Sequence, residues 1–509
     1  MKRMSANQSR RNSARRRRKV ASRHAQAGHW SPQAEPMLGS SPVHYEIGAQ
    51  PDVMSYGGIG VVHRLVTRLG LRQQIDRRLQ LLKVHLPYHE SDHVLNLSYN
   101  ALCGGTRLED IELRRHDPAY MNALGAALIP DPTTAGDFCR RFAAEDVVEL
   151  MECINAVRPQ LWQGRGRALL GPVAYLDVDG TLAPTKGERK AGMDISYKGI
   201  WGYAPLVVSL ANTKEVLYVV NRSGNAVSHA DAPRWIDKAI AHLQPHAERI
   251  CLRGDTAFYL TRHFDRWAES VDFVFGMDAT QGLCTRAAAL EETCWQRLQR
   301  QPTYETLTDQ RRDRQHQPYE KQRLVEERAY TNLKLNYEDV AEFAYQPDKC
   351  RRPYRVVVLR KNITQMKGEL ALFDEVRYFF YITTRTDLSA AEVVVCANQR
   401  CDQENVIEQL KNGVNAMRVP LYDLVSNWAY MVMAALAWNI KSWMAMMMHR
   451  QSDRREYVNM EFRRFLHSLI LIPCRVIRQA RGITLRLLGY QPGLDRLFST
   501  WRTVERTVF

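Results

Sequence analysis

The sequence predicts a mixed α/β fold: a strand-rich core that follows a helical N-terminal region. Three observations predict it. Apolar residues recur at helical spacing up to about residue 165. From Val173 onward short β-rich runs alternate with helical segments. After a polar stretch with its own strand, the chain returns to a β-run at Tyr378–Thr384 and a strongly helical segment, Ala390–Asn412.

In chain order, residues 1–30 come first, dense in Lys and Arg with no acid before Glu35. Such a run repels itself, so a disordered basic tail is expected. Residues 31–56 hold Pro32, Pro36, Gly39, Pro42 and Pro51 and read as loop. Between 57 and 165, Val61, Leu65, Leu69 and Leu71 suit one helix face, and Val94, Leu97, Ala101 and Leu102 another. Pro132-Thr133-Thr134 before Ala135-Gly136-Asp137-Phe138 marks a helix start with Thr at the cap. A compact helical domain over 31–165 is expected, with room for a helix-turn-helix unit.

The core begins with the apolar run Val173–Asp179. Tyr203–Ala211 and Glu215–Ser223, joined by Asn212-Thr213-Lys214, suit a hairpin. A helix near Ala230–Leu243, a strand at Arg249–Asp255, a helix near Leu260–Glu269 and a strand at Val271–Gly276 follow. Three strands, then helix, strand, helix, strand fit an RNase H-like core, an antiparallel meander extended by parallel strands. It would span 166–280 and 376–450, split by a β-rich insertion at 281–375 that contains the strand Tyr354–Arg360. Residues 451–509 form a C-terminal region in which Cys474–Leu487 is strand-like, suited to dimerisation.

Composition restricts the class of protein. Of 509 residues, 45% are apolar and 25% charged, which suits a globular chain with a sizeable core. The net charge of +16 points to a polyanionic partner. Arg15, Arg16, Arg17, Arg18 and Lys19 are the densest cluster and the expected nucleic-acid arm, and the helical domain behind them is expected to bind DNA. No apolar segment follows the basic run, so it is no secretory signal. Ten cysteines without a C-x-x-C pair argue for reduced thiols in the cytoplasm rather than a zinc ribbon. The apolar stretch Trp428–Met448 is interrupted by Asn439, Lys441 and Ser442, and reads as a buried helix rather than a membrane span.

Three acids carry the chemistry. Asp179 closes a strand in Leu176-Asp177-Val178-Asp179-Gly180-Thr181, and Asp255 ends another in Arg253-Gly254-Asp255. Carboxylates at core strand ends are costly unless they bind something. Asp177 lies two residues before Asp179, on the same strand face, and is a second candidate ligand. Glu404 lies on the later helix, four residues after Arg400 and seven before Lys411, so the three are expected on one face. Taken singly, each acid also suits a turn, a cap or a solvated ion pair. Together, three carboxylates suit two hard cations, Mg²⁺ with Mn²⁺ as a substitute, for phosphodiester chemistry. Arg400 and Lys411 would hold phosphate.

These residues resemble a known family. Arg400-(3)-Glu404-(6)-Lys411 matches the Y-(2)-R-(3)-E-(6)-K signature of DDE insertion-sequence transposases, with Ala397 in the tyrosine position. Asp179-Gly180-Thr181 is similar to the family's first motif and Arg253-Gly254-Asp255 to its second. Pro87-Tyr88-His89-Glu90-Ser91-Asp92 and Gly104-Gly105-Thr106-Arg107 are further shared segments of one subgroup. The resemblance spans roughly residues 45–490. It implies an RNase H-like core interrupted by a β-rich insertion and action as a homodimer on DNA. It also implies cleavage at element ends, often through a hairpin, and joining of the freed 3′-OH to target DNA in the bacterial nucleoid. A structure-specific nuclease would use the same acids without strand transfer, and a repressor with a dead core would use none of them.

Three weaker patterns complete the reading. Gly58-Ile59-Gly60 follows no strand and has His63 where a dinucleotide loop needs a third glycine. His85, His89 and His93 have the spacing of zinc ligands on a helix face, but Pro87 argues against a continuous helix there. Met444–Met448 reads as packing.

Overall fold

The structure, a computed structural model, describes residues 6–27, 52–299, 324–325, 327–328, 330–368, 370–479 and 482–509. Most of the loop expected at 31–56 and most of the polar stretch before residue 330 lie outside these. The chain forms two compact units. One comprises Met1–Gly171, Gly180–Val227 and Asn405–Phe509; the other comprises Pro172–Asp179 and Ser228–Glu404.

The first unit opens with α1 (Ala6–Ala27), where the sequence suggested a disordered tail. Ala, Arg, Gln and Lys are strong helix formers. Arg16 further anchors the helix by donating from Nη1 to the Leu487 carbonyl at 2.8 Å and the Gly489 carbonyl at 3.1 Å. Helices α2 (Ile59–Arg68), α3 (Leu71–Arg78) and α4 (Glu90–Leu102) follow, and Val61, Leu65, Leu69 and Leu71 are buried as their spacing predicts. Helix α5 (Pro132–Cys139) starts at least two residues earlier than a Thr cap would place it. Its cap is Asp131, which accepts from Thr134 N at 2.9 Å, with Pro132 in the first turn, where a missing N–H costs nothing. Helix α6 is Ala144–Ala156.

The core strands alternate with helices. They are β1 (Val173–Gly180), β2 (Leu206–Leu210) and β3 (Glu215–Val220), then α7 (Ala232–Leu243), β4 (Arg249–Gly254) and β5 (Asp272–Met277). The helix expected near 260–269 is two short turns, Thr261–His263 and Phe264–Trp267. β2 and β3 form the antiparallel hairpin of the first unit, with Lys214 in the left-handed region in the turn between them. In the second unit β1, β4 and β5 run parallel. The order of strands and helices read from the sequence thus holds within a mixed α/β fold.

The second unit's sheet continues through β6 (Gln296–Arg297), β7 (Thr331–Tyr345), β8 (Tyr354–Lys367) and β9 (Leu370–Thr383), in the order β6-β7-β8-β9-β5-β4-β1. The boundary expected at 375/376 falls inside β9, whose last residues pair with β5 from Phe380↔Met277 to Thr383↔Val274. A sheet grows by edge pairing, so the inserted strands extend the core sheet.

Beyond β9 lie α8 (Ala390–Asn398), α9 (Cys401–Glu408) and a π-helical turn, Gln409–Gly413. The first unit then contains α10 (Leu424–Met446), buried from Ser426 to Met446 as the apolar stretch suggested. It ends with the hairpin β10 (Cys474–Gln479) and β11 (Gly482–Leu487), and α11 (Leu494–Arg506). Among the described residues, no helix is long and apolar enough to cross a membrane.

Candidate active site

The site is built where two parallel strands end. β1 and β4 are in register at Asp177↔Arg253. Two residues further along each chain stand Asp179 and Asp255, and neighbouring strands lie about 4.8 Å apart. The two acids therefore stand at the ends of neighbouring strands. Asp255 falls just past the last residue of β4, where its Oδ1 caps the turn Thr256–Phe258 by accepting from Ala257 N at 2.9 Å. Gly254 before it has a packing reason: a Cβ there would lie 2.9 Å from Phe258 Cβ and 3.0 Å from the Phe275 ring.

Asp177 differs from Asp179 despite sharing its face. It is fully buried, and both oxygens are held by one guanidinium: Arg253 Nε donates to Oδ1 at 2.6 Å and Nη2 to Oδ2 at 2.8 Å. Arg253 also donates from Nη1 to the Cys396 carbonyl at 3.1 Å and lies over the Tyr175 ring at 4.6 Å. Burial works to lower the pKa of Arg253, but the charge and hydrogen bonds of Asp177 outweigh it and raise it. A carboxylate engaged in this way has little left to offer a metal.

The helix that carries Glu404 is tied to the same strand. The long helix expected over Ala390–Asn412 is broken at Gln399 and Arg400, where tighter i+3 bonds run from Asp402 N to Gln399 O and from Gln403 N to Arg400 O. The break frees Arg400 to reach Asp179, with Nη1 donating to Oδ2 at 3.2 Å and both side chains 17% exposed. Gln403 Nε2 donates to the Asp177 carbonyl at 3.1 Å. Glu404, the next residue, is exposed at the end of the unit.

Asp179, Asp255, Glu404 and Arg400 all belong to the second unit, so their grouping is internal to one body. No three of these carboxylates have oxygens all within 4.8 Å of one another, the spacing that a single ion would require. Repulsion between like charges favours wider separation, and a pair of ions shares its ligands between two centres. Lys411 lies in the π-turn of the other unit. A π-turn shifts the helical phase, so the common face expected from a regular 3.6-residue repeat does not extend to it. Arg15, Arg17, Arg18 and Lys19 are exposed on α1, also in the first unit, while Arg16 is tied to the hairpin end. Ala397, at the signature's tyrosine position, packs against the core of α8 and the sheet.

Two positioning residues escaped the sequence reading. Arg253 was visible only as part of a motif, and Gln403 looked like an ordinary helix residue. The signal for Arg253 was a charged residue inside an otherwise apolar strand.

The family described as transposase DDE domain group 1 has a model that matches residues 46–508. Among solved structures, the chain is similar to a piggyBac transposase synaptic complex with hairpin DNA, at 9% identity over 81% of each chain with a TM-score of 0.35. No curated protein matches the chain.

Proposed function

The chain belongs to the DDE-domain transposases, enzymes of metal-dependent DNA cleavage and strand transfer, and from that premise we propose that Asp179, Asp255 and Glu404 are its catalytic acids. The observation that carries the assignment is the register of β1 and β4, which brings Asp179 beside Asp255, while Arg400 and Gln403 tie the Glu404 helix to β1. The donor set fits a pair of hard divalent cations: it offers oxygen ligands only, at the open end of a sheet. Mg²⁺ is the expected ion, with Mn²⁺ as a substitute. Bound there, the ions supply an activated attacking oxygen and a stabilised leaving oxygen.

The chain's own residues do the positioning. Arg400 pairs with Asp179 and presents a planar fork to a phosphate at that end of the strand. Asp177 and Arg253 lock β1 to β4 and α8, so the two strand ends cannot drift apart. Lys411 and the exposed cations of α1 contribute phosphate contacts that hold DNA without reading its sequence. The substrates are the ends of an insertion element and a target duplex, handled by a homodimer in the bacterial nucleoid.

The test is Glu404→Gln. The change keeps shape and helix propensity and removes one charge. Binding to element-end DNA is expected to persist. Mg²⁺-dependent nicking is expected to fall by roughly a thousandfold, about 4 kcal/mol in the barrier. Near-normal nicking would remove Glu404 from the site.

A further inference from the structure

The sequence placed His85, His89 and His93 at zinc-ligand spacing, and the structure rearranges that set. His93 is buried, its ring stacked on Phe138 at 4.3 Å and edge-on to Tyr88 at 5.3 Å. Burial lowers its pKa to about 4, so it is a neutral core imidazole. His85 and His89 meet each other instead, with ring centroids 4.4 Å apart and planes within 15°. His85 Nε2 lies 3.1 Å from Glu90 Oε2. Each of the three residues offers a ligand atom, and these atoms all lie within 4.8 Å of one another, the one such group among the described residues.

We propose that His85, His89 and Glu90 form a binding site for a zinc-class divalent ion at the start of α4, distinct in ligand chemistry from the catalytic carboxylates. Glu90 is preset for the role. It is buried, and its Oε1 accepts from Leu81 N and Leu82 N, both at 3.0 Å, so Oε2 is held toward the imidazoles. Ligands of a tetrahedral zinc ion lie about 3.3 Å apart when metal–ligand distances are about 2.0–2.1 Å. The His85–Glu90 pair already stands near that separation, and exposed His89 can rotate to close the rest. Two imidazoles and one carboxylate leave a fourth position for water. That set suits zinc and its first-row neighbours, whereas Mg²⁺ prefers oxygen alone. The ion would clip the loop ahead of α4 to the helix start.

The experiment uses the full chain carrying Asp179→Asn and Asp255→Asn, so that the catalytic carboxylates do not compete, in excess Mg²⁺. Zinc retained after gel filtration is measured by elemental analysis, and cobalt(II) is added to the metal-free protein as a spectroscopic probe. One zinc per chain is expected, with cobalt bands of nitrogen and oxygen ligation and no thiolate charge-transfer band. His85→Ala and His89→Ala should each lower zinc affinity about tenfold or more, with unchanged circular dichroism. His116→Ala, at an exposed imidazole outside the group, should bind as the parent does. Three results would overturn the site: no zinc retained by the parent, affinity in both histidine variants equal to the parent's, or a thiolate signature pointing to cysteine.

Discussion

The charged knot around Glu215 in the first unit and the strand ends of the second unit handle carboxylates in opposite ways. Glu215 is fully buried and saturated. Its Oε1 accepts from Arg158 Nη1 at 2.6 Å and Trp443 Nε1 at 2.8 Å; its Oε2 accepts from Trp162 Nε1 at 2.8 Å and Thr213 Oγ1 at 2.6 Å. Asp179 and Asp255 are only half-buried, and Glu404 is exposed. Within β1 the same contrast recurs two residues apart, where Asp177 is saturated by Arg253 and Asp179 meets Arg400 through one bond. A carboxylate whose lone pairs are filled by the fold serves the fold. One that stands half-exposed at a strand end can still meet a cation.

The largest expected effect sharpens this contrast at its open end. Asp179→Asn should lower Mg²⁺-dependent nicking of element-end DNA by about three orders of magnitude or more. The melting temperature should stay close to wild type, because a partly exposed ion pair with Arg400 contributes little. A large loss of stability in this variant would break the contrast.

Glu215→Gln probes the saturated end. It leaves the buried Arg158 charge uncompensated, and breaking a buried pair costs about 3–5 kcal/mol. Denaturant unfolding should report that loss. A cost below about 1 kcal/mol would mean that the knot is not held by its charges.

Asp177→Asn stands between the two. It removes the charge opposite buried Arg253 while leaving Asp179 in place, so nicking should fall about 10–100-fold and stability should fall with it. A dead Asp177→Asn beside an active Asp179→Asn would move the catalytic assignment by two residues.

The smallest effect extends the contrast to arginines. Arg253 is enclosed, whereas Arg15, Arg17 and Arg18 are exposed on α1. Removal of residues 1–28 should weaken binding to all DNA several-fold and make its salt dependence shallower, because each lost phosphate contact releases fewer counterions. Titration of random and element-end duplexes at several salt concentrations would show it. Unchanged binding to random DNA at low salt would exclude α1 as a DNA arm.

Much was legible in the sequence alone. Apolar runs located the buried helix, read at Trp428–Met448 and found at Leu424–Met446, and the strand ending near Asp179, because an element buried on every side has apolar residues throughout. The acid motifs identified the family, because phosphodiester chemistry restricts which residues can serve. Contacts between distant segments belonged to the tertiary structure. Only the register of β1 with β4 decided that Asp177 faces Arg253, across 76 residues of chain, and is thereby consumed. Only packing broke the helix at Gln399–Arg400, where local propensity favoured continuity, and so turned Arg400 toward Asp179. Local sequence fixes what each element is, because propensity and period act over a few residues; which side chains remain open for chemistry depends on partners that folding brings from far along the chain.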